Sequence, residues 1–129
     1  MSGMSESNVE LVRRGYQAAL EGDLDQIGEL LDPEVSWHGG DPSAPGACRN
    51  RDQALEFMRR ARERSRGPLG ELVEVIDAGE RVVVVMRRRS RDPGEDTELV
   101  ANLTTFRDHK VIEMVHYARV EDALAAAGL

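Results

Sequence analysis

"TELVANLTTFRDHKVIEMVHYARV", residues 97–120, decides how the chain folds. In its first half Val100, Asn102, Thr104 and Phe106 fall on alternate positions. A period of two is that of a β-strand, whose successive side chains point to opposite faces. The polar "DHK" then turns the chain into a second alternating run. Met114, His116 and Ala118 share one face of it, and Val115 and Tyr117 share the other. A connection this short joins antiparallel neighbours.

Working backwards, "LGELVEVIDAGE" (69–80) and "RVVVVMRRRSRD" (81–92) read as two further strands joined through Ala78-Gly79. "PGED" (93–96) turns the second of these into the third, so the four strands form an antiparallel meander. A continuous valine run does not show its inward phase. Either Met86 and Arg88 or Arg87 and Arg89 face in.

Upstream of the meander the period changes. "SNVELVRRGYQAALEG" (7–22) has a helical stripe of Val9, Val12, Tyr16, Ala19 and Leu20, with Ser7 or Asn8 as cap and Gly22 as stop. "DLDQIGELL" (23–31) restarts a helix behind Asp23, with Leu24, Ile27, Leu30 and Leu31 apolar, and Asp32-Pro33 ends it. "EVSW" (34–37) is a short strand, followed by an irregular loop over 38–49 with glycine or proline at 39, 40, 42, 45 and 46. "NRDQALEFMRRARER" (50–64) is a third helix, with Ala54, Leu55, Phe57, Met58 and Ala61 apolar, and Gly67-Pro68 breaks it. "EDALAAAGL" (121–129) closes the chain as a short helix. Three helices followed by a curved antiparallel sheet make an α+β fold, with the helices on one sheet face. Residues 1–7 are expected to form a disordered end and 8–129 a single domain.

Composition narrows the function classes. The 129 residues suit one domain whose core needs no staples. No run approaches the ~20 apolar residues of a membrane span, and the polar start is unlike a secretory signal. One cysteine, Cys48, excludes an internal disulfide and fits a reducing cytoplasm. A net charge of −7 argues against nucleic acid, which binds positive fields. The arginines of 59–66 and 87–91 make up nine of the seventeen basic residues, and read as solvated faces before they read as an anion site.

"VELVRRGYQAALEGDLDQIGELLDPEVSWHG", "EVIDAGERVVVVMR" and "LTTFRDHKVIEMVHY" resemble the SnoaL-like branch of the nuclear-transport-factor-2-like superfamily over roughly residues 8–129. The resemblance implies a cone, in which a bent sheet wraps the helices and leaves a cavity at its wide end. Branches of the superfamily use that cavity for isomerisation, polyketide cyclisation, epoxide hydrolysis or ligand binding alone, so fold does not name a reaction. It also implies a homodimer, through an outer sheet face bearing Val115 and Tyr117.

If the face named first on each of these two strands is the inner one, Asn102, Thr104 and His116 project into an apolar interior, where polar groups need partners. Tyr16 sits in the context "YQAALEGDLD", which resembles that of the oxyanion-donating tyrosine of steroid isomerases. His38 falls where those enzymes carry a general-base aspartate, and histidine takes a proton near neutrality. Trp37-His38 would then mark the pocket rim. Thr104 stands where the isomerases bury a protonated acid, and it is a poor substitute. The acid/base aspartate of the cyclases and the Asp–Arg–Asp set of the epoxide hydrolases have no counterpart among these strands. His38 and His116 with no third ligand do not make a metal site.

Three functions follow as expectations. The first is binding of a small apolar molecule by Tyr16, His38, Asn102, Thr104 and His116, with Trp37, Phe57, Met86 and Met114 lining the pocket. The second is an isomerase, cyclase-like enzyme or hydrolase with His38 or His116 as base and Tyr16 as donor. The third is an interaction module with a vestigial cavity. None calls for a cofactor or a metal.

Overall fold

The computed structural model describes residues 7–40, 43–45, 47–65, 71–89 and 97–129. The turn read at 93–96, the break at Gly67-Pro68, residues 1–6 of the expected disordered end, and Asp41, Pro42 and Gly46 of the irregular loop lie outside them.

Two helices open the fold, α1 (Asn8–Glu21) and α2 (Leu24–Leu30). Ser7 caps the first, its hydroxyl accepting from Glu10 N, and Asp23 caps the second by accepting from Gln26 N. Each side chain takes up an amide that the first helical turn leaves without a partner. Between them Gly22 adopts φ +73°, the left-handed conformation that ends a helix and that glycine tolerates best. Arg62, from α3 (Arg51–Ser65), donates to the Ala19 and Leu20 carbonyls at that end.

The sheet has the order β1-β5-β4-β3-β2, with β1 (Leu31–His38), β2 (Glu71–Ala78), β3 (Arg81–Arg89), β4 (Thr97–Arg107) and β5 (Lys110–Tyr117). The meander β2-β3-β4-β5 is antiparallel as expected, and β1 adds to β5 in parallel. One boundary shifts. Leu31 is the first residue of β1, and the strand runs through Asp32-Pro33. It can do so because β1 is an edge strand and its pairing slips between Leu31 and Ser36, so the missing proline N–H interrupts no ladder bond. The β4–β5 turn holds Asp108 and His109 at φ +53° and +65°, the paired left-handed conformations of a tight hairpin.

Alternation along the strands produces two apolar layers. On one side Val82, Val84, Phe106, Val111 and Val35 pack against Leu11, Val12 and Ala18 of α1, Ile27 and Leu30 of α2, and Ala54 of α3. Met86, Met114, Leu72 and Trp37 adjoin this layer. The inward phase of β3 is therefore that of Val82, Val84 and Met86. Arg88 follows on the same face and pairs with Glu98 at 2.9 Å.

On the other side Val83, Val85, Ala101 and Leu103 are covered by Ala123, Val120 and Leu124 of α4 (Val120–Ala126). Tyr117 packs into this layer and Val115 is buried. The closing helix folds back over part of the outer face, against Ala101 and Leu103. Arg81 fixes that helix by donating to the Ala126 carbonyl.

The arginine-rich segments behave as solvated faces where they are described. Arg59 and Arg60 pair with Glu56, Arg59 also with Glu63, and Arg87 with Glu71. No helix among the described residues is long and apolar enough to cross a membrane.

Candidate functional site

The helix-facing side of β4 and β5 carries polar side chains in an apolar layer. Asn102 and His116 are cross-strand partners in the register, Val84 lies beside Asn102 on β3, and Met114 lies beside Thr104. Among the described residues, Asn102 and Thr104 are the buried polar side chains of the core, each 5 % exposed. Packing of α1 over the sheet brings Tyr16 down onto Asn102. The Asn102 amide nitrogen donates to the Tyr16 hydroxyl at 3.4 Å, and its carbonyl oxygen lies 3.3 Å from His116 Nδ1. One helix and two strands so contribute to a single polar chain, Tyr16–Asn102–His116.

Burial shapes the chemistry of that chain. Removal from water disfavours the phenolate, and the hydrogen bond from Asn102 offsets this only in part. The Tyr16 phenol is pushed up to about 12. It therefore stays protonated through the neutral range. Because its oxygen accepts from Asn102, its own hydrogen is directed elsewhere.

Trp37 reaches the same face from β1, opposite Met114 in the register. Phe57 of α3 meets it edge to face, with ring centroids 5.0 Å apart and planes at 78°. Phe57 remains 38 % exposed, which places the pair at the margin of the layer. The backbone of Trp37 also exchanges two hydrogen bonds with Cys48, covering the free edge of β1. The Cys48 side chain is buried, and burial pushes the thiol pKa up, which disfavours the nucleophilic thiolate.

His38 does not join the chain. It pairs with Val115, in the row of Leu103 and Val83, and those belong to the outer layer. Adjacent residues of a strand cannot share a face, so an inward Trp37 turns His38 outward. There its Nε2 lies 3.2 Å from a Glu113 carboxylate oxygen, and its Nδ1 accepts from Gly40 N at 3.2 Å. The ring is 7 % exposed. A base role on the Tyr16 side of the sheet is closed to it. Of the residues singled out from sequence, the structure brings together Tyr16, Asn102 and His116, with Thr104, Met114, Met86 and Trp37 on the same face. Glu113 as the partner of His38 was missed, although its place beside Val115 on an alternating strand pointed to the outer side.

Residues 12–114 match the SnoaL-like domain. The chain belongs to the SnoaL-like family. No curated protein matches it significantly. Among solved structures it is similar to Bal32a from a soil-derived mobile gene cassette, at 26 % identity and TM-score 0.71, over 85 % of this chain and 87 % of that one. It is similar in fold to a candidate polyketide cyclase from Sinorhizobium meliloti, at 18 % identity and TM-score 0.67, over 83 % and 93 % of the two chains. It is also similar in fold to TerC, crystallised with polyporic acid, at 20 % identity and TM-score 0.64, over 95 % and 98 %. SnoaL-like members bind small molecules or act as cyclases and isomerases, and this member keeps the fold that serves both.

Proposed function

We propose that the protein binds a small, largely apolar molecule on the helix-facing side of its sheet. Tyr16, Asn102, His116 and Thr104 supply the hydrogen bonds, and Trp37, Phe57, Met86 and Met114 the apolar walls. The observation that carries this reading is the polar chain itself. Replacing such buried hydrogen-bonded partners by hydrocarbon of the same shape is nearly neutral for stability, so polar side chains gathered on an apolar floor serve recognition better than stability. The fold neighbour crystallised with polyporic acid supports a small organic ligand.

A thermal-shift screen of hydroxylated aromatic and polyketide-like compounds tests it, with the fluorescence of Trp37, the one tryptophan, as second readout. A ligand at 100 times its Kd stabilises the fold by ~2.7 kcal/mol. It is expected to perturb Trp37, and to lose affinity in Asn102→Leu. Compounds that raise Tm equally in Asn102→Leu and leave Trp37 unchanged would place binding elsewhere.

A second reading adds chemistry, with His116 as base and Tyr16 as hydrogen-bond donor in a metal-free isomerisation, cyclisation or hydrolysis. The persistently protonated Tyr16 phenol favours it, since a neutral donor stabilises developing negative charge on oxygen. On this reading Tyr16→Phe and His116→Gln both lower kcat against any substrate found, while His38→Ala spares it. Self-association belongs to the same proposal, through the outer sheet face that bears Val115 and Tyr117, to which exposed Leu99 adds an apolar contact. So does a cytoplasmic setting, which the single cysteine fits.

A further inference from the structure

Asn102 makes two hydrogen bonds that need opposite ends of its amide. Its nitrogen faces the Tyr16 hydroxyl at 3.4 Å, which turns its oxygen to His116 Nδ1 at 3.3 Å. An amide oxygen only accepts, so the hydrogen of a neutral His116 ring must sit on Nδ1, leaving Nε2 as the lone-pair nitrogen. Across the sheet His38 is held the other way round. The Gly40 N–H occupies its Nδ1, and its Nε2 faces the Glu113 carboxylate, so its hydrogen sits on Nε2. One chain thus holds two histidines in opposite tautomers on opposite faces of the same sheet.

We propose that Asn102 is a positioning residue that sets the tautomer of His116 and, through the same amide, the direction of the Tyr16 hydroxyl. The two ends of the polar chain then have opposite character. His116 Nε2 accepts, and the Tyr16 O–H points away from Asn102. An amide does not pass protons along as a carboxyl group does, so the two ends stay chemically separate. The tautomer in turn selects what can bond to His116 Nε2, which is a hydroxyl or N–H group of protein or ligand alike. The proposal concerns the protein alone and stands whether or not a ligand is found.

Two-bond nitrogen–proton NMR correlations of the imidazole rings test it, recorded at a pH where the ring nitrogen shifts themselves report neutral imidazole. In the wild-type chain His116 is expected to show a protonated Nδ1 and an unprotonated Nε2, and His38 the reverse. Asn102→Leu removes the acceptor and is expected to return His116 to the Nε2–H form that undirected imidazole prefers. Asn102→Asp keeps an acceptor and is expected to restore Nδ1–H. The His38 pattern, set across the sheet by Gly40 and Glu113, is the folding control in each variant. A wild-type His116 protonated at Nε2 overturns the proposal without any variant. So does a folded Asn102→Leu whose His116 pattern is unchanged.

Discussion

Tyr16 and Tyr117 are the two tyrosines of the chain, one in each apolar layer. In Tyr117→Phe, tyrosinate absorbance reports Tyr16 alone, and its midpoint is expected at about 12 against the ordinary phenol value of 10.0. A midpoint near 10 would mean that the hydroxyl is solvated and the site open to bulk water. The stability consequence has a definite sign. Between those two values the unfolded phenol has lost its proton and the folded one has kept it, so stability is untouched below pH 10 and falls as pH rises towards 12. The loss amounts to roughly 3 kcal/mol at the top of that window, and urea midpoints in Tyr16→Phe would lack it. At this scale the face of Asn102, Thr104 and His116 was legible, because a strand shows its phase wherever polar and apolar residues alternate. The contact of Tyr16 with Asn102 was not, since it needs α1 laid across the sheet. His38 was read wrongly by treating it and Trp37 as a unit when strand geometry separates them.

Among the elements, the helices follow their caps and stops closely. Ser7, Asp23 and Gly22 act where the sequence puts them, because capping is local chemistry. The β4–β5 hairpin is local too, yet its residues are a compromise. Asp108 and His109 both occupy left-handed backbone, which costs an ordinary residue ~1–2 kcal/mol relative to glycine. Replacing the pair by Asn-Gly is expected to raise stability by on the order of 1 kcal/mol, read as a higher urea midpoint with an unchanged slope. A lower midpoint would show that the Asp108 or His109 side chain contributes contacts that outweigh the strain. What a local reading could not supply was the fate of Asp32-Pro33. Proline excludes helix at once, but only the edge position of β1 explains why a bulged strand begins there instead of a loop.

Across the whole molecule, α4 decides which surfaces are left open. Ala123 is fully buried between that helix and the outer sheet face. Ala123→Asp places a charge with no partner there, and is expected to lower Tm, release α4 and increase dye binding and self-association as Val85 and Leu103 become exposed. A variant that stays at wild-type Tm and particle size would show that α4 contributes little to covering that face. The sequence by itself determined the α+β class, the order of elements, the antiparallel meander and which residues of β4 and β5 share a face, since each is written in a short repeating pattern. Only the tertiary structure decided the phase of the valine run in β3, the parallel entry of β1 beside β5, the covering of the outer face by α4, and the meeting of Tyr16, Asn102 and His116. These depend on contacts between segments far apart along the chain, which no local period encodes.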